Sequence, residues 1–425
     1  MHNVTLGEVL PVMGSFGINL DYTVRLKLRL LNQVDEEVLK EAIEKTRQRY
    51  PYFCVRMKRD GEKFFYEDNP APIALLHTDR SVCLNAPETN FHVWCVCYYE
   101  DWVYLDVYHG ITDGTGMYQL LATLLFYYCE KRYGVTDHAG VRTLDDPLSP
   151  EEMVDPLENL PPVDLSGKKA PEAVPVFSLS RDAGLTPSSP QIWDIEIPEA
   201  AFVSFGSAND ASPGTMATIL FARAIDALYP KTKKAIMSKY VVNARPMLHA
   251  EKTHHNCIDG VSFAYTERVR ALPFEQQCTV HRGSTFFQSD TDSVYAKQMG
   301  MASYYRSILQ KCPTLEAKKQ AFGRMMGGAD SAYTYIVSYV GQWKLKALSP
   351  YILEFWTHVP SANSLETEVA AVNGKIFLSV HQAFQEDYVI KSFLHQLEEH
   401  GIPYKVRQKA PSDNAKFPEP VLESY

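Results

Sequence analysis

The sequence lacks any long apolar run. None of its segments reaches the ~20 consecutive apolar residues that a membrane-spanning helix requires. The first twenty residues also lack the basic start and apolar core of a secretion signal. We therefore expect a soluble cytoplasmic protein without a membrane span.

Positive charge is also scarce, because 42 Lys and Arg stand against 51 Asp and Glu, giving a formal net charge of −9. Nucleic-acid partners require a concentrated basic surface, so we expect none. The 8 cysteines include no Cys-x-x-Cys pair, and the histidines, including His254 and His255, show no recurring ligand spacing. The sequence therefore predicts neither structural disulfides nor a metal site.

The length of 425 residues is more than one ordinary core can organise, and two large lobes are the simplest expectation. A proline-rich segment without sustained periodicity lies between the two halves of the chain. We predict an N-terminal lobe over residues 1–145, a crossover linker over 146–190, a C-terminal lobe over 191–407 and a loosely ordered tail over 408–425.

Helical and strand patterns alternate in both halves. Residues 35–50 have the stripe and N-cap of an amphipathic helix, and residues 91–99 and 102–109 alternate as strands joined by a tight turn. In the second half, residues 215–228 and 387–400 predict helices, and residues 235–242 predict an apolar strand. The fold class is therefore α/β, with mixed sheets in two lobes that face each other.

The most informative stretch is His109-Gly-Ile-Thr-Asp113-Gly114. Apolar and polar residues alternate over 103–108, so His109 continues the inward face of a strand. After Gly114 the apolar residues recur at helical spacing, which predicts a strand-turn-helix. A His-x-x-x-Asp-Gly pattern occurs by chance in roughly one in twenty chains of this histidine content.

Two further patches lie in the second half, at Asn243-Ala-Arg245-Pro246 with Asn256 downstream, and at Ser338-Tyr-Val-Gly341. In order and spacing, the three patches resemble the signature regions of the chloramphenicol-acetyltransferase-like superfamily of CoA-dependent acyltransferases. This superfamily includes condensation domains of peptide synthetases, alcohol O-acetyltransferases and polyketide-associated acyltransferases. The resemblance extends over nearly the whole chain.

The resemblance implies two similar lobes arranged as a V, with the histidine in a tunnel at their interface and acyl-CoA as co-substrate rather than a bound cofactor. It gives His109 the role of general base and Asp113 a structural role as the ion-pair partner of Arg245. Tyr108 stands where many members carry a first histidine, and the Asp-Phe-Gly-Trp-Gly motif of the plant enzymes is absent. A plant-type enzyme is therefore disfavoured.

The chemistry of acyl transfer suits these residues. An imidazole with a pKa near 6.5 is matched to removing a proton from the acceptor at neutral pH, typically contributing about 10²- to 10⁴-fold. The backbone N–H of Gly114 and the hydroxyl of Ser338 are candidate donors to the oxyanion. An alternative role for Asp113 is to orient His109, as the carboxylate does in a catalytic triad.

Lys231, Lys233 and Lys234 form the most concentrated basic patch and are our candidate residues for binding the phosphates of CoA. A solvated loop is the commoner explanation of such a run.

Three functions fit the sequence. We favour an acyltransferase that uses acyl-CoA and a small-molecule acceptor, with a hydroxyl preferred over an amine and no covalent intermediate. The second is a free-standing condensation domain whose donor is bound to an acyl carrier protein. The third is a non-catalytic binding protein of the same fold, for which Tyr108 is the only indication and against which the intact His109 argues.

Overall fold

The computed structural model describes residues 2–164, 174–343 and 345–422. Within these ranges the chain forms a mixed α/β structure with a three-stranded, a five-stranded and a seven-stranded sheet. Part of the predicted linker, residues 165–173, and the last three residues of the predicted tail lie outside the described residues. No helix in the described ranges is both long and apolar enough to cross a bilayer.

The first half of the chain supplies two of the sheets and the helices beside them. Its elements are β1 (His2–Asn3), α1 (Val9–Gly17), β2 (Thr23–Leu30), α2 (Glu36–Arg49), β3 (Val55–Asp60), β4 (Lys63–Asp68), β5 (Leu75–His77), β6 (Trp94–Tyr99), β7 (Trp102–Tyr108) and α3 (Gly114–Tyr133).

The second half supplies the large sheet and most of the helices. Its elements are β8 (Pro187–Pro198), α4 (Glu199–Ala208), α5 (Pro213–Leu228), β9 (Ile236–Asn243), β10 (Ile258–Tyr265), α6 (Glu267–Arg270), α7 (Phe274–Gln288), α8 (Thr291–Lys311), α9 (Leu315–Gly327), α10 (Ala329–Ala332), β11 (Tyr335–Gln342), β12 (Ile352–His358), β13 (Leu365–Val372), β14 (Lys375–Phe384), α11 (Tyr388–Glu399) and β15 (Lys405–Pro411).

The sheets confirm a mixed α/β fold. The five-stranded sheet has the order β12-β2-β7-β6-β5, and the seven-stranded sheet has the order β10-β9-β11-β13-β14-β8-β15. Most neighbours are antiparallel, whereas β11 runs parallel to both β9 and β13. The three-stranded sheet, β1-β4-β3, packs into the same core as the five-stranded sheet.

Local sequence explains where the helices of the first half begin and end. Asp35 accepts a hydrogen bond from the backbone N–H of Val38 at 3.2 Å and so caps α2, as the sequence predicts. Gly134 ends α3 with a φ of +73°, a left-handed conformation that glycine adopts without the strain of a Cβ.

The two cores do not follow the order of the chain. Strand β12 comes from the second half, yet it pairs with β2 at the edge of the five-stranded sheet. Buried side chains of α8 and α9, among them Tyr305 and Phe322, also belong to the core beneath that sheet. The predicted division of the chain near residue 190 stays a prediction, and later segments of the chain return to the first core.

The end of the chain differs from the loosely ordered tail that the sequence led us to expect. Strand β15 pairs with β8, and beyond it Ala415 and Phe417 are buried in the first core. Backbone hydrogen bonds join Lys416 to Val82 and Leu84. Polar, proline-bearing sequence suggested poor packing, but one edge pairing and two buried side chains are enough to hold this segment.

We expect Phe417→Ala to lower the free energy of unfolding by about 3–5 kcal/mol, because a buried aromatic ring would be replaced by a cavity. The Phe417 side chain is 2% exposed and stacks on Tyr108 with ring centroids 3.6 Å apart. Val421→Ala is the control, since Val421 is 79% exposed and its truncation should change stability by less than about 0.5 kcal/mol. Equal urea midpoints for the two variants would contradict the burial of this segment.

Candidate active site

His109 lies directly after β7, where the strand leaves the five-stranded sheet. Its backbone N–H donates to the carbonyl of Tyr22 at 2.9 Å, and its ring stacks on the Tyr22 ring with centroids 4.7 Å apart and planes 16° apart. The side-chain amide of Asn256 donates to the His109 carbonyl at 3.2 Å. One residue from each half of the chain therefore fixes the position of this imidazole.

His109 is half-buried as a residue, so part of it remains accessible to solvent. Its Nδ1 is buried and makes no hydrogen bond of ordinary geometry with any described residue. Burial lowers the pKa of His109 below its ordinary value, and this effect is only partly opposed by its own backbone carbonyl, by Asp113 and by Asn256. At neutral pH the ring is therefore uncharged, as a general base must be.

Asp113 and Arg245 form a buried, two-pronged ion pair. The distances are 2.8 Å from Nη2 to Oδ1 and 2.9 Å from Nη1 to Oδ2, and both side chains are at most 2% exposed. Asp113 also caps α3, because its Oδ1 accepts from the backbone N–H of Gly116 at 3.2 Å. The pair joins the start of a first-lobe helix to the segment that follows β9.

The carboxylate of Asp113 has no remaining capacity to orient the imidazole. Its Oδ2 accepts a second bond from the backbone N–H of Cys257 at 2.9 Å, so four donors already occupy its two oxygens. The geometry thus favours the ion-pair role over the triad-like role for Asp113.

The loop over residues 253–257 packs against the motif His109–Gly114. Arg245 donates to the carbonyls of Thr253 at 3.0 Å and His255 at 2.9 Å, and the hydroxyl of Thr112 donates to the carbonyl of His254 at 2.5 Å. A Cβ at Gly116 would lie 2.0 Å from the Thr112 hydroxyl, so only glycine fits there. Through these contacts, residues from the second half of the chain hold the turn that carries His109.

His254 and His255 are buried within that loop. With Glu8 they bring three potential ligand atoms within 4.8 Å of one another. However, Nδ1 of His255 lies 3.0 Å from Oε1 of Glu8 and its Nε2 lies 3.1 Å from the carbonyl of Met153. An imidazole that faces two acceptors donates from both nitrogens and has no lone pair for a metal, so these residues do not fit a metal site.

Gly114 and Ser338, the two predicted oxyanion donors, come from different lobes. Gly114 is the first residue of α3, where backbone N–H groups have no partner within the helix. Ser338 lies on β11, opposite Glu368 on β13, and burial raises the pKa of the Glu368 carboxyl while the Ser338 hydroxyl lowers it.

Alternation along β13 turns Glu366 and Glu368 toward the first lobe, because Leu365, Val369 and Ala371 on the other face pack in the second core. Burial raises the pKa of the Tyr22 hydroxyl, and the charges of the Glu366 and Glu368 carboxyls raise it further.

The predicted CoA-binding lysines lie elsewhere. Lys231, Lys233 and Lys234 precede β9, whereas Asn243 ends it, so the eight-residue strand separates the patch from Arg245 by about 25 Å. Lys233 pairs with Glu267, and Lys234 lies 2.7 Å from Asp182. Their role in binding CoA phosphates stays a prediction.

Sequence reasoning missed Tyr22 and Glu368. Tyr22 precedes β2, and neither β2 nor β13 was predicted from the pattern, so neither residue had a face assigned to it. Asn256 was noted only as following the Asn-x-Arg-Pro patch, and its contact with the His109 carbonyl is a tertiary feature.

We expect Asp113→Ala to lower the free energy of unfolding by about 3–5 kcal/mol, because the buried Arg245 would lose its counter-charge. The control is Glu44→Ala, which breaks the Arg47–Glu44 pair on the surface of α2 and should cost less than about 1 kcal/mol. Urea denaturation of both variants measures the difference. If Asp113→Ala lowered the free energy of unfolding by less than about 1 kcal/mol, this ion pair would not hold the two halves of the chain together.

No family model matches the chain, and no curated protein matches it. Solved structures do. The chain is similar to Fusarium graminearum TRI101 complexed with coenzyme A and T-2 mycotoxin, with a TM-score of 0.62 and 13% identity, covering 95% of this chain and 99% of that one.

Two other solved structures are similar over comparable lengths. Polyketide synthase associated protein 5 from Mycobacterium tuberculosis has a TM-score of 0.61 and 11% identity, covering 93% of this chain and 96% of that chain. The condensation domain of the Monacolin K polyketide synthase MokA has a TM-score of 0.60 and 9% identity, covering 94% and 96%. The chain therefore has the two-lobed, chloramphenicol-acetyltransferase-like fold that the sequence resemblance predicts.

Proposed function

We propose that this protein transfers an acyl group from an acyl-CoA thioester to the hydroxyl of a small molecule, with His109 as general base. The observation that carries the proposal is a neutral imidazole in a half-buried residue, which Tyr22 from one half of the chain and Asn256 from the other hold in place. The likeness to TRI101 complexed with coenzyme A supports the choice of donor.

The reaction needs no covalent enzyme intermediate. We assign the base to Nε2 of His109, because Nδ1 is buried. It takes the proton of the acceptor hydroxyl as that oxygen attacks the thioester carbonyl. The tetrahedral oxyanion then collapses, the carbon–sulfur bond breaks, and the imidazolium returns the proton to the departing thiolate.

The oxyanion requires donors that are already in place. The free N–H groups at the start of α3, beginning with Gly114, lie five residues after the base and carry the positive end of the helix dipole. The hydroxyl of Ser338, which lies on the seven-stranded sheet, is the second donor that we assign. Removing one preorganised donor of this kind typically costs about 10²- to 10³-fold in kcat.

A carrier-protein-bound donor is the second candidate, because the MokA condensation domain is similar to this chain to nearly the same degree as TRI101. The donor distinguishes the two functions. An acyl-CoA-dependent acyltransferase turns over with acyl-CoA alone. A condensation domain turns over only with an acyl group bound to the phosphopantetheine arm of a carrier protein.

We expect His109→Ala to lower kcat by about 10²- to 10⁴-fold, because the acceptor would lose its general base. The measurement is free-thiol release from acetyl-CoA and longer acyl-CoAs with a panel of alcohols and amines. His395→Ala on α11 is the control, since His395 is 63% exposed at its side chain and its loss should leave the rate unchanged. Turnover that is equal in His109→Ala and wild type would exclude this mechanism.

The pH dependence follows from the lowered pKa of His109. The base works only when uncharged, so kcat/KM should rise with pH through an apparent pKa below 6.5 and be level near neutrality. His109→Ala should remove this acid limb from its residual activity. An acid limb centred above pH 6.5 would contradict the burial of this ring as the cause.

A further inference from the structure

Two carboxyl groups lie side by side on the face of β13 that looks toward the first lobe. Glu366 and Glu368 are two residues apart in the strand, so their side chains project from the same face. Glu368 is only 7% exposed, and Glu366 is half-buried.

Most other buried acidic groups of the described chain have a basic partner, and Asp155 instead accepts the backbone N–H groups of Gly7 and Leu157. The partnered pairs are Asp106 with Arg25, Asp113 with Arg245, Glu152 with Arg49, Asp194 with His358, and Glu8 with His255. Neither Glu366 nor Glu368 has an ion pair within 4 Å among the described residues. Lys239 on β9 acts on Glu366 only from a distance.

A buried carboxyl beside another carboxyl, with no cation in contact, holds its proton. Burial raises the pKa of Glu368 to about 8, and the neighbouring Glu366 adds to the rise. Burial raises the pKa of Glu366 as well. The hydrogen bond with Ser338 opposes this rise, but the pair still holds a proton at neutral pH, and a protonated Glu368 is a hydrogen-bond donor.

The protonation state of Glu368 decides what Ser338 can do. A serine hydroxyl has one proton to donate and two lone pairs to accept. An ionised Glu368 accepts that proton in a hydrogen bond, which leaves Ser338 with nothing to donate elsewhere. A protonated Glu368 instead donates to Oγ of Ser338, and the Ser338 proton is then free to point at another acceptor.

We propose that Glu368 is a positioning residue that donates to Ser338 and thereby turns the Ser338 hydroxyl toward the oxyanion formed in front of His109. The inference rests on the proposed function. Its geometry is the cross-strand pairing of Ser338 with Glu368 and the stacking of Tyr22 on His109, and the Tyr22 hydroxyl also interacts electrostatically with Glu368. No proton is transferred to or from Glu368 during turnover.

Among the titratable groups in this region, Glu368 is the one that we expect to change its charge near neutral pH. On β14 its cross-strand neighbour is Ser379, and the next residue outward on this face, His381, accepts the backbone N–H of Val359 at 3.2 Å and has its pKa lowered to about 3 by burial. The remaining titratable or charged groups that face the pair are Lys239, Tyr339, Tyr22, Tyr118 and, behind Ser379, Asp194 with His358 and Lys27. Burial raises the pKa of each of these tyrosines.

The test is the pH profile of kcat in wild type and in two matched variants of the pair, with product measured by chromatography. Wild type should lose activity above about pH 8, where Glu368 ionises. Glu368→Gln should retain most of kcat and lose this alkaline limb, because its amide donates to Ser338 at every pH. Glu366→Gln should move the limb to lower pH, because the like charge that raises the pKa of Glu368 is gone.

Two further variants separate positioning from mere packing. Below the alkaline limb, Ser338→Ala should lower kcat by about 10²- to 10³-fold and Glu368→Ala by no more than that, with KM for acyl-CoA little changed. The double variant should lose no more than Ser338→Ala alone, because Glu368 acts only through that hydroxyl. Additive losses would overturn the inference.

A spectroscopic measurement reports on Glu368 without turnover. Infrared difference spectra between about pH 6.5 and 9.5 should show a protonated-carboxyl band that disappears as pH rises and is absent in Glu368→Gln. A missing band in wild type, or an alkaline limb that persists in Glu368→Gln, overturns this inference. If the protein shows the titrating band and yet releases no thiol with any donor, that combination of results contradicts the proposed function and, with it, the role given to Ser338.

Discussion

The buried ion pair between Asp113 and Arg245 is the interaction on which the site depends. It links the capped start of α3 to the segment after β9, so the turn that carries His109 is defined only when both halves of the chain are in place. Four donors fill the two oxygens of Asp113, and Arg245 donates further to the loop over residues 253–257. These hydrogen bonds offset the hydration that the ion pair loses on burial, so the buried pair is energetically tolerable.

Most other buried carboxyl groups of the described chain also have a basic group or backbone donors as partners, and one pair is an exception. Arg25 and Asp106 form a buried ion pair within the five-stranded sheet, and Asp194 is hydrogen bonded to His358 and lies 3.8 Å from Lys27. The exception is the Glu366 and Glu368 pair, which faces the first lobe without a cation in contact among the described residues.

Several features were predictable from sequence because their causes are local. Asp35 caps α2, Gly134 ends α3, and the alternation over residues 103–108 places His109 on the inner side of a strand. The Asp113–Arg245 contact followed from a resemblance rather than from pattern, since 132 residues separate the partners. The end of the chain was misjudged, because its polar composition concealed an edge strand and the buried Phe417.

By itself the sequence determined the mixed α/β class, the strand-turn-helix around His109 and the residue types needed for acyl transfer. Only the tertiary structure decided that β12 returns to the first sheet, that Tyr22 supports the imidazole, and that Glu368 lies against Ser338. The physical reason is the range of the forces involved. Periodicity, capping and turn conformation act over a few residues, whereas burial, ion pairing and the pKa of a carboxyl depend on neighbours that the fold brings from distant parts of the chain.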